Sequence, residues 1–377
     1  MDTKYVLMVD IRSRVFSDLE TLSRHEKYGE LIKSKTNGQI KLIILTRQTK
    51  QSTETLFSSR SFETVIIPKS IVSVIVQYKN LAKVLKEYEV DAFICGDPWE
   101  SYLLAQLLRK SFFRDSKIQV QLHGDFASPK WGNGSLNSRL RKRLISLKSR
   151  HISQIRLTSE EQLRSLSKRY RFENKKVKII PVPLHLPIKR PIPRVRSNPT
   201  FGLVGRLHRE RGLETFSQFA KVFYAYDNNA KFVIIGDGPE RRAFQSSLFS
   251  SIPETAVSFL GELSGENFHE NFASIDVLCS FAATESYGRV AREALALGIP
   301  ILAQHSAGLD QLALEGAGEF IQFLPSQPTS ETYIQMGLAS LRIIVPESFF
   351  ESCKRTSEDS INQLISSWIE MVQLENL

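Results

Sequence analysis

Two series of short, unbroken apolar runs, set apart by longer segments of helical period, limit what this chain can fold into. In the first series, residues 5–9, 40–45, 65–67, 92–94 and 118–122 are largely apolar, with helical patterns such as 19–35 and 71–88 between them. In the second, residues 200–204, 231–235, 257–260, 276–280, 299–303 and 320–323 read as strands. Helices are expected there near 212–226, 240–249, 268–273 and 289–297. A strand that is apolar at nearly every position, rather than at alternate ones, fits a sheet covered by helices on both faces. Its alternation with helices points to α/β domains on parallel sheets. A last segment, 357–374, sets Ile361, Leu364, Ile365, Trp368, Ile369 and Val372 on one helix face.

Proline divides the two series. Six of the 15 prolines (Pro181, Pro183, Pro187, Pro191, Pro193 and Pro199) fall within residues 181–200. Each removes a backbone donor and disfavours helix in the residue before it. The chain has 377 residues, more than the roughly 250–300 at which a single core stops growing. Charge changes sign at the same place. Through Arg196 there are 38 basic and 18 acidic residues; from Ser197 onward there are 12 and 22. The net +10 is therefore a +20 half joined to a −10 half.

The basic excess is concentrated. Residues 101–196 hold 23 basic and 5 acidic side chains. Within them, residues 138–150 read SRLRKRLISLKSR, with Leu140, Leu144 and Leu147 on one helical face. Such a helix suits an anionic membrane surface. In the other reading the leucines pack on their own sheet and the basic face stays outside. No nucleic-acid motif or aromatic platform accompanies the charge, so no nucleic-acid partner is expected. No run reaches the roughly 18–20 apolar residues of a spanning helix. Three cysteines, Cys95, Cys279 and Cys353, form no metal-binding spacing, and the first two lie in apolar runs. An odd count without a signal peptide fits a cytoplasmic protein.

Three segments carry chemistry. Residues 284–300 read TESYGRVAREALALGIP: a loop with Gly288, then a helix starting near Arg289. The N–H groups at such a helix start, with its dipole, make an anion site. Glu285 and Glu293 flank that loop and suit sugar hydroxyls as hydrogen-bond acceptors; two solvated surface carboxylates are the plainer reading. Residues 201–212 read FGLVGRLHRERG, a strand followed by Arg206 and Arg211, two guanidiniums suited to a diphosphate or simply a solvated basic loop. Residues 234–242, IIGDGPERR, are a strand, a turn and a helix start. In the first half, QLHGDF puts His123 at a strand end, where it is either a functional imidazole or a structural hydrogen bonder. Asp97, in CGDPWE, also ends a strand.

Taken in order, GRLHRERG, IIGDGPE, FLGEL and DVLCSFAATESYGRVAREALALGIPILA closely resemble the C-terminal domain of retaining glycosyltransferases of family 4, the group 1 transferases of the GT-B fold. The resemblance implies two Rossmann-like domains whose parallel sheets face an inter-domain cleft. The expected division is an acceptor-side domain over 1–185, a Pro-rich linker over 186–199, a nucleotide-sugar-binding domain over 200–350, and a helix over 351–377 that crosses back to the first domain. The E-x7-E element of the family is met by Glu285 and Glu293. By resemblance, Arg206 and Arg211 hold the nucleotide diphosphate, although the family usually has Lys at the second position. Glu293 accepts the ribose hydroxyls, and Glu285 contacts the donor sugar. The backbone of Ser286, Tyr287, Gly288, Arg289 and Val290 caps the phosphates, and residues 261–263 meet the base. His123 stands beside the donor sugar, and Asp97 lines the acceptor side. The family's Gly-rich loop after the first strand is replaced here by DIRSRVFSD, where Arg12 and Arg14 are the candidates to reach the acceptor.

The function implied is retaining transfer of a hexose from a UDP- or GDP-linked sugar to a glycan or lipid-linked glycan, in surface polysaccharide biosynthesis. No metal or other cofactor is expected, since no DxD motif or carboxylate cluster stands out. The expected location is the cytoplasm, peripherally on the cytoplasmic membrane face. The rivals are a nucleotide-sugar epimerase of the same fold and a non-catalytic basic binding protein on this scaffold.

Overall fold

The computed structural model describes residues 3–10, 19–47, 61–67, 78–124, 151–168, 176–191 and 198–373. Arg12, Arg14, the basic segment 138–150 and residues 192–197 of the expected linker lie outside them. The chain forms two compact units. The first comprises Met1–His123, Arg139–Pro181 and Asp359–Leu377; the second comprises Gly124–Ser138 and Val182–Glu358.

In the first unit seven parallel strands are ordered β3-β2-β1-β4-β5-β6-β7, where β1 is Lys4–Val9, β2 Ile40–Arg47, β3 Phe62–Ile67, β4 Glu89–Cys95, β5 Lys117–Gln121, β6 Gln154–Leu157 and β7 Val177–Ile179. Helices α1 (Leu19–Lys35), α2 (Tyr78–Leu85), α3 (Glu100–Ser111) and α4 (Glu160–Ser167) connect them. The last two strands had no counterpart among the expected apolar runs. β6 reads QIRL, an alternation that suggests one wet face, yet all four residues are buried. β7 is three residues long, too short for a pattern. The last helix of the chain, Glu347–Gln373, starts four residues before the expected 351, and its residues from Asp359 onward belong to the first unit. There Leu364, Ile365, Trp368 and Val372 are buried with Val6, Ile32, Leu42 and Ile44. Burying a side chain of that size stabilises by about 1.5–3 kcal/mol, so this face anchors the helix.

The second unit holds six parallel strands ordered β10-β9-β8-β11-β12-β13, where β8 is Thr200–Val204, β9 Lys231–Ile235, β10 Val257–Gly261, β11 Val277–Ser280, β12 Ile301–Ala303 and β13 Ile321–Phe323. Its helices are α5 (Leu213–Tyr226), α6 (Arg241–Phe249), α7 (Gly265–Phe272), α8 (Arg289–Ala296), α9 (Ala307–Leu312) and α10 (Ser330–Leu341), followed by the first part of α11 (Glu347–Gln373). Phenylalanine fills one side of this sheet: Phe201 meets Phe219 and Phe223 edge-on at 4.9 and 4.6 Å between ring centres. The strand order reverses direction between β8 and β11, which lie side by side. Ligands of open α/β sheets bind at the carboxyl ends of strands at such a switch point.

Candidate active site

In the second unit the switch point is lined by two loops. The loop after β8 runs from Gly205 to Gly212, and the loop after β11 runs from Phe281 to Gly288. Gly212 joins them. Its φ of +70° is left-handed, and a Cβ there would lie 2.3 Å from the Phe281 carbonyl oxygen. Only glycine allows the two loops to approach this closely.

The approach brings Arg211 and Glu285 together. Arg211 Nη1 donates to Glu285 Oε2 at 2.7 Å, while the Gly288 amide donates to Glu285 Oε1 at 3.2 Å. The Glu285 carbonyl accepts from the Gly308 amide at 2.8 Å, which fixes the loop to the start of α9. Gly288, in left-handed backbone with φ +72°, turns the chain into α8. Arg206 is exposed at the end of β8 and has no ion-pair partner among the described residues. Ser286 and Tyr287 are buried, and Val290 is half-buried.

Glu293 sits on α8 with 2% of its surface exposed. Its Oε1 accepts from the His185 amide at 2.9 Å and lies 3.8 Å from Arg289 Nε. A buried carboxylate needs such partners to remain charged. The backbone of the proline-rich stretch thus reaches the second carboxylate of the E-x7-E pair, a contact that leaves no side-chain signature in sequence. Arg292 is a second residue the sequence did not single out. Its Nε donates to the Tyr287 carbonyl at 3.1 Å, its guanidinium lies 4.3 Å from the Tyr287 ring centre, and its Nη1 donates to Glu315 at 2.5 Å. It holds the loop from behind. A charged pair, Arg292 and Glu293, inside the otherwise alanine-rich and buried α8 is the signal that points to it.

The GDGP turn stands beside the same strand ends. The Gly238 amide and then Arg241 hold the Asp237 carboxyl below its usual pKa. The Leu207 amide donates to the Asp237 carbonyl at 2.9 Å, tying this turn to the Arg206 loop.

In the first unit, His123 follows β5. Its Nε2 lies 3.1 Å from Gln121 Oε1. The residue surface is exposed to solvent, but the ring is set among many protein atoms. Desolvation, then the positive charges of Arg156 and Arg24, pulls its pKa down to about 3. The ring is therefore neutral at physiological pH. The strand end is pinned by Gln162 of α4, whose Nε2 donates to the Leu122 carbonyl at 3.0 Å. Asp97 is placed differently from a residue open to an acceptor. Its carboxylate accepts from the Trp99 and Ser101 amides at 2.8 and 3.3 Å and from the Ser101 hydroxyl at 2.5 Å, so it caps the entry to α3.

Among the described residues no three metal-ligating side chains come together, and no helix is long and apolar enough to cross a membrane.

Two parallel-sheet units of this topology define the GT-B fold. Over nearly the whole chain the fold is similar to sucrose-phosphate synthase from Thermosynechococcus elongatus (TM-score 0.71, 16% identity, 99% of this chain and 98% of that one). It is also similar to Anabaena Alr3699/HepE in complex with UDP-glucose (TM-score 0.68, 14% identity, 97% and 99%). Residues 187–330 match the family "Glycosyl transferases group 1", so the chain carries the domain of that family. A curated relative is the GDP-mannose-dependent alpha-mannosyltransferase of Mycobacterium tuberculosis (strain CDC 1551 / Oshkosh). It is 33% identical over 134 residues, 34% of this chain and 32% of that protein. The chain spans between a quarter and a third of the length of the curated relatives it matches first.

Proposed function

We propose that the protein transfers a hexose from a UDP- or GDP-linked sugar to a glycan or lipid-linked glycan, with retention at the anomeric carbon. The observation that carries this reading is the Arg211–Glu285 pair at 2.7 Å, set at the switch point beside the amides that open α8. The loop after β8 supplies cations for a diphosphate; the loop after β11 supplies N–H donors for it and a carboxylate for sugar hydroxyls. The mannosyltransferase relative and the UDP-glucose complex of a structural neighbour agree with a nucleotide-sugar donor.

In the proposed reaction the bond from the anomeric carbon to the diphosphate oxygen breaks, and a bond to the acceptor oxygen forms on the same face. The acceptor proton passes to the departing phosphate oxygen. Arg206, Arg211 and the amides of residues 286–290 stabilise the negative charge that grows on that leaving group. Glu285 orients the sugar and does not attack it. Glu293 takes the ribose hydroxyls, and His123 is assigned to the donor sugar. NMR of the product of one turnover checks the stereochemistry; inversion refutes the mechanism. Conversion of the donor without any acceptor would instead reveal an epimerase. Glu285→Ala should abolish turnover while circular dichroism stays unchanged, and full activity would remove Glu285 from the site.

We assign the acceptor side to a membrane-associated substrate, reached by the basic first half in the cytoplasm and extended in surface polysaccharide assembly. The support is the 23 basic against 5 acidic residues of 101–196. Flotation with anionic but not neutral liposomes is expected; equal recovery in both refutes it.

A further inference from the structure

Behind His123 lies a line of buried polar side chains. β5 and β6 contribute Gln119, Gln121, Gln154 and Arg156, all buried, at positions that a sheet interior ordinarily gives to apolar residues. Their hydrogen bonds have a fixed direction. Arg156 and Trp368 carry side-chain donors and no acceptor, so each fixes the amide it touches. Trp368 Nε1 donates to Gln119 Oε1 at 3.0 Å, and Gln121 Nε2 donates to the same oxygen at 3.2 Å. Gln119 Nε2 then donates to Gln154 Oε1 and, at 3.2 Å, to Ser367 Oγ. Arg156 Nη1 donates to Gln121 Oε1 at 3.0 Å, and its other nitrogens donate to the carbonyls of Ile180 and Pro181 at 3.2 and 2.9 Å. Turning the Gln121 amide over would set its NH2 against the guanidinium at one end and its oxygen against the Gln119 oxygen at the other.

The consequence falls on His123. Its Nε2 faces Gln121 Oε1, an atom that only accepts. Nε2 must therefore carry the hydrogen, and in the neutral ring the lone pair is on Nδ1. Among the described residues, Arg156 on β6 and Arg24 on α1, both positive, oppose a second proton on this ring.

We propose that Gln121, oriented by Arg156, is a positioning residue that holds His123 as the Nε2–H tautomer, in which Nδ1 is the acceptor atom of the ring. His123 then neither takes nor gives a proton during transfer. The role toward the sugar rests on the reading of His123 given above; the tautomer does not.

Long-range proton–nitrogen correlation spectra of the full chain, labelled at histidine nitrogen, test the tautomer without any substrate. The His123 signals are assigned by their loss in His123→Asn. The expected pattern is one neutral form, protonated at Nε2 and not at Nδ1, unchanged from about pH 5 to about pH 8. Gln121→Glu sets a negative charge on the ring hydrogen. The His123 midpoint should rise into that range, and kcat/KM should gain an acid limb that the wild type lacks. Gln121→Met removes the acceptor and should introduce the second tautomer with roughly a tenfold loss of kcat/KM. Gln154→Met, equally buried in the same network but without contact to His123, should change neither. A wild-type ring that is cationic at pH 7, or protonated on Nδ1, overturns the proposal. So does a Gln121→Glu titration that does not move, or equal effects of the Met variants at 121 and 154. If the spectra follow expectation while the pH profiles of wild type and Gln121→Glu coincide, the role toward the sugar falls and the tautomer stands.

Discussion

Gly308 tests whether the loop between β11 and α8 is held by its neighbours or holds itself. Its amide donates to the Glu285 carbonyl at 2.8 Å. A Cβ at 308 would lie 2.6 Å from the Tyr287 nitrogen and 2.8 Å from the Gly288 nitrogen, against an ordinary contact of 3.4 Å or more. Both obstructing atoms are backbone, so no side-chain rotation relieves the clash. In Gly308→Ala the loop must retreat by roughly 0.8 Å, the difference between those contacts. Overpacking of this kind costs about 1–3 kcal/mol. For a unit of this size that lowers the melting midpoint by roughly 2–12 °C. The functional loss should be of similar size, because a displacement near 1 Å in a positioning element reduces rate by up to about 10²-fold, or about 2.7 kcal/mol of transition-state stabilisation. Gly318→Ala is the control, since its Cβ would meet only ordinary contact at 3.4 Å. The assay is calorimetric melting with and without UDP or GDP, followed by kcat/KM with the donor that stabilises the wild type. A Gly308→Ala protein that melts lower but keeps the ligand shift and the turnover would refute the idea that these amides form the site.

The Arg211–Glu285 pair is 44% and 21% exposed at its side chains, so it contributes only about 0–1 kcal/mol to stability. Arg211→Ala should melt within a few degrees of wild type yet lose at least about tenfold in affinity for a nucleoside diphosphate, with Arg211→Lys between them; titration calorimetry reads both. Asp97→Ala removes the cap of α3 and leaves the buried Ser101 hydroxyl without its acceptor, a loss of about 2–4 kcal/mol. Chemical denaturation should show it, with the acceptor KM unchanged in the folded fraction. His123 and His269 both have pKa values below the ordinary 6.5 in the folded protein, primarily through desolvation. Below about 6.5 the unfolded chain therefore binds protons that the folded one does not. Stability should be full above that pH and fall on acidification toward about 3, the folded value of His123. His123→Gln should flatten the slope of melting midpoint against pH, and an unchanged slope would count against a depressed His123.

What was legible in the sequence is what loops encode locally. Arg206, Arg211, Glu285 and Gly288 each follow a strand directly, and strand order then sets the two loops side by side. The strands themselves were legible where apolarity is unbroken, as in VLMV of β1 or FVII of β9. Pattern failed where burial is polar. In β6, Gln154 and Arg156 look like solvent-facing residues, but hydrogen bonds from distant segments satisfy them inside. The same reason hid the support of His123: Gln121 and Trp368 are 247 positions apart and meet only through Gln119. Asp97 shows the converse. An Asp at a strand end before a helix reads equally well as a site residue or a cap, and only the amides of Trp99 and Ser101 decide in favour of the cap.

The second half of the chain is acidic, yet it carries the site assigned to an anion. At physiological ionic strength charge is screened over about 8 Å, so a bound diphosphate would sense its neighbours and not the −10 of the whole half. Those neighbours are Arg206, Arg211, Arg289 and the amides at the start of α8, but two of the three cations already face carboxylates, Glu285 at 2.7 Å and Glu293 at 3.8 Å. A diphosphate must draw Arg211 away from Glu285. The carboxylate it leaves then keeps only the Gly288 amide among these donors, and sugar hydroxyls would replace the lost guanidinium hydrogen bond. On the proposed reading, phosphate binding and sugar binding are therefore coupled through one ion pair. Glu285→Ala should bind a nucleoside diphosphate without its sugar at least as tightly as the wild type, because the competing carboxylate is gone. The same variant should lose the extra affinity that the sugar confers. Parallel titrations of UDP with UDP-glucose and of GDP with GDP-mannose, in both proteins, give the comparison directly. Equal losses for the diphosphate and the sugar-bearing ligand would mean that Glu285 shapes the loop, and that the pair does not couple the two halves of the donor.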